Sequence, residues 1–296
     1  MKITPVAADS LGTRSMATFV ETGDCNICID PAVSLGPRRY GLPPHPLEYK
    51  KRDEHWESIK KYAEDSDVLI LTHYHYDHHD PEFPEMYRGK TVFIKHPTEN
   101  INRSQKGRAE FFLKRIDGMP GKLEYADGRE FSFGDTGIHF SDAVFHGTGN
   151  RLGYVVETCI REGDKSFVFT SDVEGPNTKE QTDFILKENP SVVYLDGPLS
   201  YMLGYRYSYE SLAGAVENIL RILNGTDVEK LVIDHHLLRD LNWKEKIARV
   251  FDAGKEVLTA AEFLGVGNNQ LEARRKDLFK EHPVRESTLE RWGVEE

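Results

Sequence analysis

Cysteine is scarce in this chain: Cys25, Cys28 and Cys159 are the only three among 296 residues. So small and odd a set cannot build a disulfide framework, and the fold has to rest on its apolar core. Cys25 and Cys28 do form a C-x-x-C, but within the strand-like CNICID, where positions three apart face opposite sides. Neither redox nor zinc chemistry is expected from them. No apolar run approaches the ~20 residues of a membrane-spanning helix, and Met1 to Leu11 carries no signal-peptide pattern. The expectation is a soluble, cytoplasmic protein without a membrane partner. A G-x-S-x-G motif is missing too, which removes the serine nucleophile elbow. Positive charge is in deficit, with 38 Lys and Arg against 49 Asp and Glu for a net charge of −11. That excludes non-specific nucleic-acid binding by the whole surface and leaves room for a local basic groove.

Histidine, by contrast, is concentrated. Thr72 to Asp80 reads THYHYDHHD, directly after the apolar run DVLIL (Asp67 to Leu71). A buried strand therefore ends where the cluster begins, the usual place for a site. His73 and His75 are two apart and point the same way along an extended backbone, while Asp77 and His78 follow once the chain turns. Nitrogen and oxygen donors without a thiolate suit two divalent cations, zinc foremost, with manganese or iron as alternatives.

These residues match the T-H-x-H-x-D-H signature, and the chain resembles the metallo-β-lactamase superfamily. The resemblance implies an αββα four-layer sandwich of α+β class with a two-metal site at one edge of the paired sheets. It also asks for three more ligands downstream. His146 follows a strand and precedes Gly147, whereas its competitor His139 lies mid-strand in GIHFSDAVF. Asp172 ends Phe167-Val168-Phe169-Thr170-Ser171. After Leu231-Val232-Ile233-Asp234 come His235 and His236, and alignment with Leu71-Thr72-His73 favours His235. By resemblance, His73, His75 and His146 hold one cation, Asp77, His78 and His235 the other, and Asp172 bridges them. Asp77, His79 and His236 are the candidates for orienting a ligand or moving a proton.

Departures from known subgroups narrow the chemistry. Classical β-lactamases of the superfamily commonly carry Cys where Asp172 stands, and flavin-linked diiron members carry Glu where His75 stands. The pattern looks like the glyoxalase II, lactonase and phosphodiesterase or ribonuclease Z branches. The Pro-rich segment and DHHLLRD further resemble a branch of archaeal proteins of this fold over residues 2 to about 265, without supplying a substrate. The resemblance implies a dinuclear hydrolase in which a shared water, acidified by two cations, supplies hydroxide near neutral pH. Its substrate is expected to be a small-molecule or nucleic-acid phosphodiester. The alternatives are carboxylic ester, thioester or lactone hydrolysis, and a non-catalytic metal-binding or RNA-binding scaffold. A homo-oligomer is compatible with all of these.

Along the rest of the chain, strands are expected at Lys2 to Ala7, Met16 to Thr22 and Cys25 to Asp30, with the Asp9 to Ser15 loop ending near the site. Pro31 to Leu47 is irregular and flap-like, with His45 as a solvated loop residue. Helices are expected at Glu48 to Glu64, Thr98 to Ile116, Lys179 to Glu188, Tyr209 to Leu223 and Trp243 to Phe251. Asp127-Gly128 reads as a hairpin turn between Lys122 to Ala126 and Arg129 to Phe133. Arg88 to Arg129 holds ten Lys and Arg against five Asp and Glu, by default a solvated face, otherwise an anionic-substrate surface. Arg239 would suit a phosphate, and Tyr201, Tyr205, Tyr207 and Tyr209 a pocket wall. Residues 1–266 read as one domain and Gly267 to Glu296 as a charged extension without chemistry.

Overall fold

Apolar runs of four or five residues place the strands. The computed structural model describes residues 1–284; the remainder of the charged extension lies outside the described residues. A first sheet contains β1 (Lys2–Pro5), β2 (Thr18–Glu21), β3 (Asn26–Ile29), β4 (Val68–Leu71), β5 (Thr91–Ile94) and β6 (Lys122–Tyr125), in that spatial order. A second contains β7 (Glu130–Phe133) and β8 (Thr136–Phe140). Beyond a separate ribbon of β9 (Val144–Phe145) and β10 (Tyr154–Val155), it continues with β11 (Thr158–Glu162), β12 (Lys165–Phe169), β13 (Val192–Asp196), β14 (Lys230–Asp234) and β15 (Glu256–Leu258). Its spatial order is β15-β14-β13-β12-β11-β8-β7. In each sheet an antiparallel meander joins a parallel half: β3 to β6 in one, β12 to β15 in the other.

The helices α1 (Pro46–Glu64) and α2 (Arg103–Arg115) cover the first sheet, and α3 (Glu180–Glu188) and α4 (Tyr209–Gly225) cover the second. Three apolar layers result. Between the sheets, Val20, Ile27, Ile29, Val68, Ile70 and Phe93 meet Ile138, Phe140, Ile160, Phe167 and Phe169. Under α1 and α2, Leu69, Leu71, Val92 and Ile94 meet Ile59, Ala63, Ala109 and Phe112. Under α3 and α4, Val168, Val193, Leu195 and Ile233 meet Ile185, Val216, Ile219 and Leu223. β4 (VLIL) is apolar at every position because helices cover one face and the second sheet the other. Each large side chain fully buried there contributes roughly 1.5–3 kcal/mol. This is the four-layer sandwich expected from the motif.

Cys25 joins the layer between the sheets and Cys28 the layer under α1, so the C-x-x-C is split across the sheet. Burial pushes the Cys28 thiol up to about 12 and raises that of Cys25. No helix among the described residues is long and apolar enough to cross a membrane.

Several local expectations are corrected. Asp127-Gly128 does not close a hairpin, because β6 and β7 belong to different sheets. Asp127 is held by Lys95 Nζ at 2.6 Å and by the His96 N–H, while Gly128 N–H donates to Ser141 O. Phe131 then packs on Phe93, ring centroids 4.3 Å apart, so aromatic burial carries the strand over the sheet face instead of alongside β6. His45 is buried, caps α1 through Leu47 N–H and meets the Phe279 ring edge-on at 4.9 Å. Trp243 to Phe251 forms two short pieces, α5 (Trp243–Lys246) and α6 (Ala248–Phe251), and α7 (Ala260–Phe263) follows β15.

The last described helix, α8 (Arg275–Glu281), ties the chain back to the irregular Pro31 to Leu47 segment. Arg275 and Glu48, both fully buried, form a bidentate pair at 2.8 Å, and Arg275 also donates to Gly36 O and Leu42 O. Arg14 and Glu272 make a second such pair. Replacing Arg275 with alanine leaves Glu48 buried without its counter-charge, and urea unfolding is expected to show a loss of about 3–5 kcal/mol. A loss below about 1 kcal/mol, as for a solvated pair, would contradict this account of the segment.

Candidate metal centre

The carboxyl ends of β3, β4, β12, β13 and β14 carry Asp30, the Thr72 to His78 turn, Asp172, Asp196 and His235-His236. Such ends are where open α/β sheets form ligand crevices. The turns into it are tight: Asp30, Ser171, Glu174 and His235 all have φ between 49° and 58°. Side chains other than glycine are rarely held in that region unless the surroundings enforce it, and they cluster at functional sites.

The seven residues taken from the motif order converge into two groups sharing one carboxylate. His73, His75, His146 and Asp172 form the first, and Asp77, His78, His235 and Asp172 the second, each with its donor atoms within 4.8 Å of one another. Asp172 turns Oδ2 toward His73 Nε2 at 3.6 Å and His146 Nε2 at 3.2 Å. Its Oδ1 faces His78 Nε2 at 2.9 Å and His235 Nε2 at 3.3 Å. His75 presents Nδ1, 3.1 Å from His146 Nε2, and Asp77 lies 3.7 Å from His235 Nε2. His235 lies in the second group, and His236 in a further group with Asp172 and Asp196.

The donor set fits divalent cations. Among the described residues His73 Nε2, His78 Nε2 and Asp172 Oδ1 are buried without any hydrogen-bond partner; the 2.9 Å approach of the last two is not aligned for one. Buried polar atoms are nearly always paired, and orphans gathered around one carboxylate fit ions. Burial, reinforced by His78, holds the His73 imidazole well below its ordinary value, and His75 is lowered to about 3, so both are neutral as ligands have to be. Burial opposes charge on Asp77 and Asp172, but the neighbouring imidazoles outweigh it and keep both ionised. On His78 and His235 burial is outweighed by carboxylates, Asp172 foremost, and both imidazoles are raised, His235 to about 10. This half of the centre draws positive charge, as protons or as a cation.

A second layer of carboxylates fixes the rings. His78 Nδ1 is 2.8 Å from Asp30, which also accepts from Thr72 N and Oγ1. His235 Nδ1 is 2.8 Å from Asp9 Oδ2 without the alignment of a hydrogen bond, its Nε2 lies 3.1 Å from the Arg239 guanidinium, and His73 Nδ1 lies 3.2 Å from Ser171 Oγ. With Nδ1 engaged, Nε2 faces the centre, the carboxylate–histidine–metal arrangement. His236 Nδ1 is held the same way by Asp196 at 2.9 Å, and its Nε2 lies 4.0 Å from Glu174. His79 points elsewhere: Nδ1 meets His75 O, and the ring packs among Tyr74, Tyr76 and Phe112. Asp9, Asp30, Glu174 and Asp196 were not singled out from the sequence. Asp30 and Asp196 share the signal that marked Asp172, a carboxylate at the end of an apolar run.

A cleft of about 230 Å³ opens beside the first group, with His146, Glu174 and His236 in its wall. Arg239 does not reach it. Its guanidinium is buried, donating to Asp9 at 2.9 Å and lying 3.9 Å from Asp77, which corrects the expected phosphate contact. No residue of the basic stretch lines the cleft either, and several of its arginines face carboxylates at the surface. Of the tyrosines, Tyr201 lines the cleft, Tyr207 is buried and donates to Asn177, and Tyr205 and Tyr209 are 78% and 71% exposed.

No protein-family model matches the chain. A UPF0282 protein of the archaeon Korarchaeum cryptofilum is 54% identical over the full length of both chains. Among solved structures, the metallo-β-lactamase fold protein YhfI from Bacillus subtilis superposes with TM-score 0.53 at 17% identity, covering 87% of this chain and 95% of its own. An isothiocyanate hydrolase from Delia radicum gut bacteria gives 0.54 at 18%, covering 88% and 95%. Zn(2+)-bound PqqB from Methylobacterium extorquens gives 0.50 at 10%, covering 88% and 98%. The fold is that of the metallo-β-lactamases.

Because Asp30 orients His78, Asp30→Asn is expected to weaken zinc binding about 10–100-fold in equilibrium dialysis with the circular dichroism spectrum retained. Unchanged affinity would remove Asp30 from the centre.

Proposed function

The chain belongs to the UPF0282 family, and from that premise we propose that it is a dinuclear metal-dependent hydrolase of the cytoplasm, zinc being the first choice of metal, acting on phosphodiesters of small molecules or nucleic acid. The observation that supports this best is the position of Asp172, one oxygen toward His73 and His146 and the other toward His78 and His235. His73, His75 and His146 would hold one cation, and Asp77, His78 and His235 the other. Bound there, the pair would supply a water nucleophile of lowered pKa and positive charge against the negative charge that develops during reaction.

The protein's own groups do the rest. Asp30 keeps His78 in the tautomer that presents Nε2, and Asp9 stands 2.8 Å from His235 Nδ1. Asp77 and Asp172 concentrate negative charge where cations are needed. His236, whose Nδ1 is held by Asp196 and whose imidazole is kept by burial well below its ordinary value, lines the cleft and is assigned to accept a proton at Nε2 as general base. His79, bonded to the His75 carbonyl, is a positioning residue. Leu199 and Met202 give the cleft an apolar side that would equally seat the acyl part of an ester, thioester or lactone. Relative rates on the four substrate classes separate these readings.

With bis-p-nitrophenyl phosphate, metal-loaded protein is expected to turn over, and Asp172→Ala to lose about a thousandfold in kcat/KM. His236→Asn is expected to lower kcat about a hundredfold with little change in KM. A folded, metal-loaded protein inert toward phosphodiester, ester, thioester and lactone panels would overturn the hydrolase reading; salt-dependent RNA binding without turnover would replace it with a scaffold.

A further inference from the structure

In this acidic chain most surface guanidinium groups are matched to a carboxylate, among them Arg52, Arg88, Arg129, Arg161, Arg249 and Arg274. Arg151 and Arg206 are not. Both are exposed, both line the cleft beside the candidate metal centre, and among the described residues neither makes an ion pair or a hydrogen bond through its guanidinium; Arg206 lies against the Tyr205 ring at 5.7 Å. The same cleft has a second free feature. In His146-Gly147-Thr148-Gly149-Asn150 the Gly149 N–H closes a turn on the His146 carbonyl, the N–H groups of Gly147, Thr148 and Asn150 meet no acceptor among the described residues, and Thr148, Gly149 and Asn150 line the cleft. Gly147 permits this course, with φ of 77° and Glu174 where a β-carbon would stand.

Successive unpaired backbone N–H groups form anion-binding concavities, and a guanidinium presents a planar fork that fits phosphate oxygens bidentately. Two such forks in the lining of one cleft, together with the free N–H groups of that loop, make a cationic recess in a protein whose net charge is −11. The one carboxylate of the lining, Glu174, is buried against His146 and His236.

We propose that this recess is a subsite for a second, non-scissile phosphate of the substrate, so that the protein acts on phosphodiesters flanked by a phosphomonoester, as in a short 5′-phosphorylated oligonucleotide or a nucleotide-like small molecule. The binding half stands on the cleft alone; the substrate half rests on the hydrolase reading. The subsite takes the phosphate already present on the substrate and forms or breaks no bond to it.

Binding is read on chelator-treated, full-length protein by calorimetry with thymidine 5′-monophosphate, thymidine and succinate, for the wild type, Arg151→Gln, Arg206→Gln and the double variant. Thymidine 5′-monophosphate is expected to bind at least about tenfold tighter than thymidine or succinate. Each single variant is expected to weaken the nucleotide about tenfold, and the double variant to abolish the difference. Equal affinity for the nucleotide and thymidine, succinate binding as tightly as the nucleotide, or a preference that survives in the double variant would overturn the proposal. On metal-loaded protein, the dinucleotide pTpT is expected to exceed TpT in kcat/KM by about tenfold, through KM, with the ratio near one in the double variant. Turnover of both at equal rates in the wild type would overturn the substrate half. The binding pattern without turnover of either would leave the subsite standing and remove the hydrolase reading.

Discussion

One carboxylate holds the centre together. Asp172 comes from the end of β12 in the second sheet, while four of the six residues grouped around it, His73, His75, Asp77 and His78, come from the turn after β4 in the first. Such a carboxylate can face two sets of donors only if the sheets are packed in one register. The apolar layer between them, from Val68 and Ile70 to Phe167 and Phe169, sets that register. Without cations the arrangement is costly, since buried polar atoms converge unpaired. The cost makes sense as preorganisation for ions that bring their own charge.

Around that carboxylate the protein places further acids at increasing distance. Asp30 and Asp9 aim the rings of His78 and His235, and Asp196 aims His236. Arg239, placed between Asp9, Asp77 and His235 Nε2, offsets part of this negative charge, and the cleft is left to Arg151 and Arg206. The 31–47 segment and the end of the described chain contribute from outside: Arg39 donates to Arg239 O, and Gln270 to Leu238 O. The loop carrying His235 is thus braced by both.

The sandwich and the grouping of the seven motif residues were legible through the resemblance that THYHYDH carries, which said what to look for downstream; the local pattern supplied the candidates, since each of those residues follows an apolar run or a sharp turn. Contacts made only by tertiary packing were not legible. Asp30 resembles any strand-ending Asp until His78 arrives beside it, and His45 looks solvated until Phe279 covers it. Asp127-Gly128 has hairpin chemistry, but the burial of Phe131 on Phe93 overrides it. Arg239 looked free for a phosphate because its distant partner, Asp9, lies at the other end of the chain. The cationic residues of the cleft, Arg151 and Arg206, come from two separate loops that no local pattern links.

The central claim is that Asp172 joins two cation sites. Anomalous diffraction from crystals of protein loaded with zinc, collected on both sides of the zinc absorption edge, tests it most directly. The account predicts two peaks about 3.5–4 Å apart, one among His73, His75 and His146, the other among Asp77, His78 and His235, with Asp172 contacting both. A single fully occupied peak that leaves one of the two groups without metal, or none with the imidazoles hydrogen-bonded among themselves, would contradict it.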